Sequence, residues 1–204
     1  MKAFSNYNET QVFTETPKII PGGYIAKIMA AEVKTYNGQN GSFEKLEISF
    51  DIDEGDFKDY YADQYRSNPN ADKKWKGKIS LYVPTDDGSD KDAITKRRFK
   101  TAIDAIEQSN SGYRWDWDEK KLKGKKCGVV LQNKEWEYNG KTGWSAVPYS
   151  IASVESIRNN TFYMPKDKPL QYNSGGYTTA AAAPANRMDF VEVGNDDDSS
   201  DLPF

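Results

Sequence analysis

The chain has 204 residues, of which 37% are hydrophobic and 29% charged, and its formal net charge is -3. A length of this order fits one folded domain with appendages. The chain contains no histidine and a single cysteine, Cys127. This composition excludes a disulfide framework within one chain, and it removes the commonest general base and the commonest zinc ligand.

Charge is distributed unevenly along the chain. Residues 1–158 hold 25 Lys and Arg against 24 Asp and Glu, whereas residues 159–204 hold 3 against 7. The acidic balance therefore comes from the C-terminal end, which leaves room for a nucleic-acid surface before it. No apolar run approaches the length of a membrane span, and the N-terminus lacks the apolar segment of a signal peptide. We expect a cytoplasmic protein without a membrane partner, in which Cys127 is a small buried residue of a strand.

The first half of the chain predicts a polar arm followed by three strands. Residues 24–36 and 43–52 predict a hairpin, because the Asn-Gly steps between them tolerate the positive φ of hairpin turns. The first strand carries Ile25, Met29, Ala31 and Val33 on one parity, and the second alternates with Leu46, Ile48, Phe50 and Ile52 inward. Residues 53–77 do not alternate and are interpreted as a long excursion. Residues 78–83 alternate again as a third strand.

The second half predicts one helix and a second hairpin. Residues 90–109 carry an apolar stripe with helical spacing, and Ser89 with Asp92 indicates a capping box at its start. The stripe consists of Phe99, Ala102, Ile103 and Ile106. Residues 127–138 and 144–154 predict two further strands around an Asn-Gly turn. Residues 165–195 are rich in Pro, Asn, Gly, Ser, Thr and Ala, which is typical of a flexible tether.

The order of these elements is strand, strand, strand, helix, strand, strand, which is typical of the oligonucleotide/oligosaccharide-binding (OB) fold. We therefore predict a mainly β protein, with a five-stranded OB-fold barrel, a helix between strands 3 and 4, and a disordered C-terminal tail. The predicted divisions are an N-terminal arm at 1–20, an OB domain that binds single-stranded DNA at 21–160, a flexible linker at 161–195 and an acidic partner-binding tip at 196–204.

Aromatic side chains and lysines gather where the second and third strands and the hairpin loops of such a barrel would bind an oligonucleotide. Unpaired bases stack on aromatic rings, and lysines contact the phosphates. The predicted stacking residues are Tyr36, Phe43, Trp75, Tyr82, Trp136, Tyr138 and Trp144. The predicted phosphate contacts are Lys34, Lys45, Lys73, Lys74, Lys76, Lys78, Lys134 and Lys141. Each has a structural alternative, since Trp and Tyr are as often core residues and a lysine is usually solvated surface.

The last nine residues combine four carboxylates with an apolar, aromatic end. Leu202 and Phe204 can enter a hydrophobic pocket, Pro203 limits the entropy lost on ordering, and the terminal carboxylate can bind an arginine. The alternative is an acidic tail that only aids solubility. The complete predicted partner-binding tip is Asp196, Asp197, Asp198, Asp201, Leu202, Pro203 and Phe204.

An acidic run that ends in Asp-Leu-Pro-Phe resembles the tail of bacterial and bacteriophage single-stranded DNA-binding proteins. The resemblance implies an OB domain, a flexible linker and a tip that recruits enzymes of replication, recombination and repair in a bacterial host cell. It covers the tip and the overall plan, and the pattern of the cellular members' first strand is not seen, which indicates a divergent, phage-like member. The resemblance implies no cofactor and leaves a homo-oligomer open.

The favoured interpretation is a non-catalytic protein that coats and protects single-stranded DNA largely independently of sequence. Two alternatives remain open at this point. One is a strand-annealing or recombination accessory protein. The other is a magnesium-dependent nuclease that uses Asp51, Asp53, Glu54 and Asp56, although acidic residues are also common in turns between strands.

Overall fold

The computed structural model describes residues 3, 5–9, 17–38 and 41–170. Half of the predicted arm, the predicted linker beyond residue 170, the predicted disordered tail and the whole tip lie outside these residues. The elements are β1 (Gly22–Gly38), β2 (Gly41–Ile52), α1 (Tyr60–Ser67), β3 (Lys78–Tyr82), α2 (Asp90–Ser109), a short 3-10 helix (Glu119–Leu122), β4 (Lys126–Tyr138), β5 (Lys141–Ala152) and α3 (Val154–Arg158).

The five strands form one antiparallel sheet in the order β3-β2-β1-β4-β5. A mainly β protein with a helix between the third and fourth strands is thus confirmed. The predicted closed barrel is wrong, because β3 and β5 remain edge strands. A closed barrel needs backbone hydrogen bonds between β3 and β5. Strand β3 has only five residues, and Pro84, soon after its end, has no backbone N–H to donate. The two edges do approach each other, with Cα atoms within 8 Å.

The predicted alternation is confirmed in β2 and fails in β1. Leu46, Ile48, Phe50 and Ile52 are all at most 1% exposed. In β1 the register shifts between Ile28 and Ala30, so Met29 is the extra residue of a β-bulge. Its side chain is 44% exposed, whereas Ala26 and Ile28 before it are buried. A one-residue insertion exchanges the two faces of a strand, and a single parity therefore cannot describe β1.

Helix α2 packs its apolar stripe onto the inner face of the sheet. Phe99, Ala102, Ile103 and Ile106 are all buried, which confirms the helical spacing. The Ser89 hydroxyl accepts a hydrogen bond from the Asp92 N–H at 3.1 Å, as in a capping box. The reciprocal bond is absent because the Ser89 N–H donates to Asp87. Cys127 is buried as predicted, and burial raises the pKa of its thiol to about 12.

The predicted excursion contains a helix that the sequence pattern did not reveal. Asp51 lies at the end of β2 with only 5% of its surface exposed. Its carboxylate accepts hydrogen bonds from the N–H groups of Tyr61 and Ala62 at 2.9 and 3.0 Å. The carboxylate satisfies donors that the first turn of α1 leaves unpaired. Burial is the largest influence on Asp51 and raises its pKa against these hydrogen bonds.

Segments that precede and follow the five strands in the sequence pack against the sheet. Residues 166–170 run beside β4 beyond the end of its pairing with β1, where the Lys168 N–H donates to the Asn133 carbonyl at 2.8 Å. Ile19, at the end of the predicted arm, is 5% exposed and belongs to the core. None of the helices in the described part of the chain is both long and apolar enough to cross a membrane.

Candidate nucleic-acid interface

The outer face of β1, β2 and β3 brings six of the predicted contact residues together. Because Leu46 and Ile48 face the core, their odd-numbered neighbours on β2 point outward. The strand register places the outward residues beside one another, with Tyr36 opposite Phe43 and Lys45 between Lys34 and Tyr82. We call this surface the outer face, and its members are Lys34, Tyr36, Phe43, Lys45, Glu47, Lys78 and Tyr82.

Three rings of the outer face form a continuous cluster, here named the outer cluster. Tyr36 and Phe43 stack with centroids 5.6 Å apart and planes 15° apart, and Phe43 and Tyr82 are 5.5 Å apart at 42°. The Lys45 ammonium lies over all three rings, at 5.2 Å from Tyr36, 5.5 Å from Phe43 and 4.9 Å from Tyr82. These distances are within the range of cation–π attraction.

Glu47 contacts both Tyr36 and Lys34 on the outer face. Its carboxylate accepts a hydrogen bond from the Tyr36 hydroxyl and pairs with Lys34 at 2.9 Å. Burial favours the neutral form of Glu47, but the Tyr36 hydroxyl and the Lys34 ammonium outweigh it and hold the pKa below its ordinary value. The hydrogen bond to Glu47 in turn raises the pKa of Lys34. Lys45, by contrast, forms no ion pair with any described carboxylate.

The last hairpin carries a second group of predicted residues. Lys134, Trp136, Tyr138 and Lys141 lie on one face of β4 and β5, around an Asn-Gly turn with positive φ at both residues. Trp136 packs across Gly143, where an added Cβ would lie 2.6 Å from Trp136 Cζ2. Trp144 alternates onto the opposite face. The two hairpins lie at opposite ends of the sheet, because β1 and β4 are antiparallel and overlap only over Gly22–Lys27 and Lys126–Leu131.

The predicted residues of the 53–77 excursion are separate from the outer cluster. The Trp75 indole N–H donates to the carbonyls of Phe50 and Gly77 at 3.0 and 3.1 Å, and its ring packs against the core. Lys73 donates to the Asn68 carbonyl and lies 4.7 Å over the Tyr65 ring. Lys74 is exposed and Lys76 half-buried in the same stretch. Trp75 therefore has a structural role in this fold.

The four carboxylates of the nuclease alternative have different roles in the structure. Asp51 holds the start of α1, while Asp53 and Glu54 pair with Lys126 at 2.8 and 3.0 Å. Asp56 is exposed. Within residues 3, 5–9, 17–38 and 41–170, no three or more His, Cys, Asp or Glu are arranged to hold a metal ion. Nothing in this arrangement favours metal-assisted cleavage.

A further aromatic cluster was not singled out from the sequence. Phe99, Trp115 and Trp117, here named the loop cluster, have ring centroids 6.1 to 6.4 Å apart. Trp117 is 77% exposed and adopts φ 67°, a conformation that costs energy for a bulky residue. The Trp-Asp-Trp sequence after α2 was the available signal.

Comparison with known protein families and curated proteins identifies no relative of this chain. No protein-family model and no curated protein matches the chain. The tip residues lie outside the described part of the chain, so the structure bears on the domain alone. In the described residues, predicted stacking and phosphate residues meet at two places, the outer face and the last hairpin.

Proposed function

We propose that this protein binds single-stranded DNA without catalysis and largely independently of sequence. One observation carries the proposal: Tyr36, Phe43 and Tyr82 form a ring cluster on a solvent-facing sheet surface that also carries Lys34, Lys45 and Lys78. Stacking on such rings is worth about 1–3 kcal/mol per base and accepts every base, because every base has a π-face. Lys45 and Lys78, which form no ion pair with a described carboxylate, supply the phosphate contacts, whereas Lys34 is paired with Glu47.

The strand connections support an open form of the OB fold. In an OB barrel the second and third strands carry the oligonucleotide surface, and the outer cluster lies on β2, β3 and the adjoining part of β1. The strands that pair in this sheet are those that pair in an OB barrel, except that β3 and β5 are not paired. The short β3 strand leaves these two edges unpaired without disturbing the proposed binding surface.

The proposal extends to the whole chain as a divergent, phage-like member of the single-stranded DNA-binding proteins. The acidic end with Leu202, Pro203 and Phe204 recruits replication, recombination or repair enzymes by entering a hydrophobic pocket with a basic rim on the partner enzyme. On this proposal the protein acts in the cytoplasm of a bacterial host cell. It requires no cofactor.

A titration of the full chain with labelled oligo(dT), followed by fluorescence anisotropy beside the matched duplex, tests the proposal. We expect tighter binding of the single strand, with a log–log salt slope of about -0.7 for each phosphate neutralised. Lys78→Ala should reduce the magnitude of the slope by about 0.7. The control Lys100→Ala removes a lysine of α2 that pairs with Asp104 at 2.9 Å, and it should leave the slope unchanged. Equal affinity for duplex, or a salt-independent affinity, would overturn the proposal.

A further inference from the structure

The Lys45 ammonium occupies the surface on which a base would stack. It lies within 5.5 Å of the centroids of all three rings in the outer cluster. Its position follows from the register, because Lys45 is opposite Tyr82 on β3 and two residues from Phe43 on β2. A base cannot pack flat on these rings while the ammonium remains over them.

Lys45 differs from the other lysine at the centre of the outer face. Lys34 is held by Glu47 at 2.9 Å and lies 3.7 Å from Glu32. Lys45 is held by ring faces, and no described carboxylate pairs with it. Its ammonium can therefore leave without stranding a buried charge, provided that something else covers the rings.

We infer that Lys45 couples base stacking to phosphate contact, so that it contacts a phosphate only when an unpaired base replaces it on the outer cluster. The inference rests on the proposed function and adds a reason for strand selectivity. A polyanion without accessible base faces offers a phosphate to Lys45, but nothing then covers the rings. Moving the ammonium from the rings to that phosphate would expose aromatic surface to water, which is unfavourable. A single strand supplies both replacements together.

Nuclear magnetic resonance of the lysine ε-CH₂ groups in the full chain tests the coupling directly. Protons held over aromatic rings resonate upfield, and Lys45→Met identifies the Lys45 signal by its disappearance. The probes are oligo(dT), an abasic oligonucleotide with the same sugar-phosphate backbone and no bases, and the matched duplex. Each is added to equal occupancy, which fluorescence anisotropy measures separately.

We expect an upfield Lys45 signal in the free protein that moves to the ordinary lysine position with oligo(dT). It should remain upfield with the abasic strand and with the duplex. Release by the abasic strand as complete as that by oligo(dT) would show an uncoupled phosphate contact, and no release by bound oligo(dT) would show that bases stack elsewhere. Either result overturns the inference and leaves the proposed function standing. Failure of oligo(dT) to bind at all overturns both.

A matched pair of variants gives an independent readout. Lys45→Ala and Lys45→Met both remove the charge, and each should reduce the magnitude of the salt slope by about 0.7. The Met side chain still covers the rings through favourable sulfur–aromatic contacts, whereas Ala uncovers them. Lys45→Ala should therefore bind oligo(dT) roughly threefold more tightly than Lys45→Met at high salt. Equal affinities would contradict the competition between lysine and base for the same ring faces.

Discussion

The outer cluster and the loop cluster have similar parts and different charges. Each contains three rings, and each has a glutamate as a hydrogen-bond acceptor: Glu47 accepts from the Tyr36 hydroxyl, and Glu107 accepts from the Trp115 backbone N–H at 2.7 Å. In the outer cluster the nearest cation, Lys45, has no carboxylate partner among the described residues. Beside the loop cluster, Arg114, which precedes Trp115 in the sequence, is paired with Glu107 at 3.1 Å.

A second cation near the loop cluster is also neutralised. Lys121 pairs with Asp116 and lies 3.9 Å from Asp118, the two residues that flank Trp117. Trp117 is nevertheless the most exposed large apolar side chain in the described chain, at 77%. Under the proposed function, ring exposure alone does not distinguish a base-stacking surface from another aromatic cluster. A phosphate backbone also requires cations whose charge is not already balanced by neighbouring acids.

Removal of rings should separate the two clusters most strongly. Phe43→Ala combined with Tyr82→Ala removes two stacking surfaces, and at about 1–3 kcal/mol for each base we expect oligo(dT) affinity to fall by at least about 30-fold. Fluorescence anisotropy measures the affinity, and circular dichroism verifies that the double variant is folded.

Trp117→Ala is the matched control, because it removes a larger and more exposed ring from the loop cluster. We expect the oligo(dT) affinity of this variant to stay within about twofold of the wild type, as for a residue away from the contact surface. A loss as large as that of the double variant would show that the loop cluster also stacks bases. The charge argument for the outer face would then be wrong.

The sequence predicted which side chains of β2 face away from the core, because alternation is a local signal. The buried residues Leu46 and Ile48 set the orientation of β2, and that orientation exposes Phe43, Lys45 and Glu47 on the other side. The same logic extends across the register to β1 and β3. Sequence reasoning could not predict the Lys45 position over three rings, because it depends on the lateral pairing of three strands.

The failures have specific physical causes. Met29 inserts a bulge, which exchanges the faces of β1 without any Gly or Pro to signal it. The stacking role of Trp75 stays a prediction, but its indole N–H donates to the Phe50 carbonyl 25 residues earlier, a contact that no local pattern signals. Asp51 alternates outward but supports the start of α1. Each outcome depends on tertiary contacts that short-range pattern cannot encode.

Release of Lys121 from its acidic partners should increase DNA binding at the loop cluster. Asp116→Asn with Asp118→Asn removes both acids that pair with Lys121, beside the exposed ring of Trp117. We expect oligo(dT) affinity at low salt to rise about threefold, since exposed charge pairs are worth 0.2–1 kcal/mol. The rise should disappear when Trp117→Ala is added and when salt screens the charges. An unchanged affinity would indicate that a free cation beside an exposed ring is insufficient.

The smallest expected effect concerns the acid beneath the outer cluster. Because the folded-state pKa of Glu47 is lowered, its stabilising contribution is complete above the ordinary glutamate pKa of about 4.3 and is lost as the pH falls through the lower folded value. Glu47→Gln should cost about 0.5 kcal/mol of unfolding free energy at neutral pH, a small value because the Lys34 side chain is 42% exposed. Urea unfolding at stepwise lower pH measures the difference.

The two unfolding curves should converge below that range, because the wild-type carboxyl is then neutral as well. Glu44→Gln serves as the control, since it removes the same charge from an exposed neighbour on β2 and should leave stability nearly unchanged. A difference between wild type and Glu47→Gln that persisted at pH 2 would mean that shape, and not charge, holds Tyr36 and Lys34 in place. The outer cluster would then owe its geometry to packing alone, and the contrast with the loop cluster would reduce to Lys45.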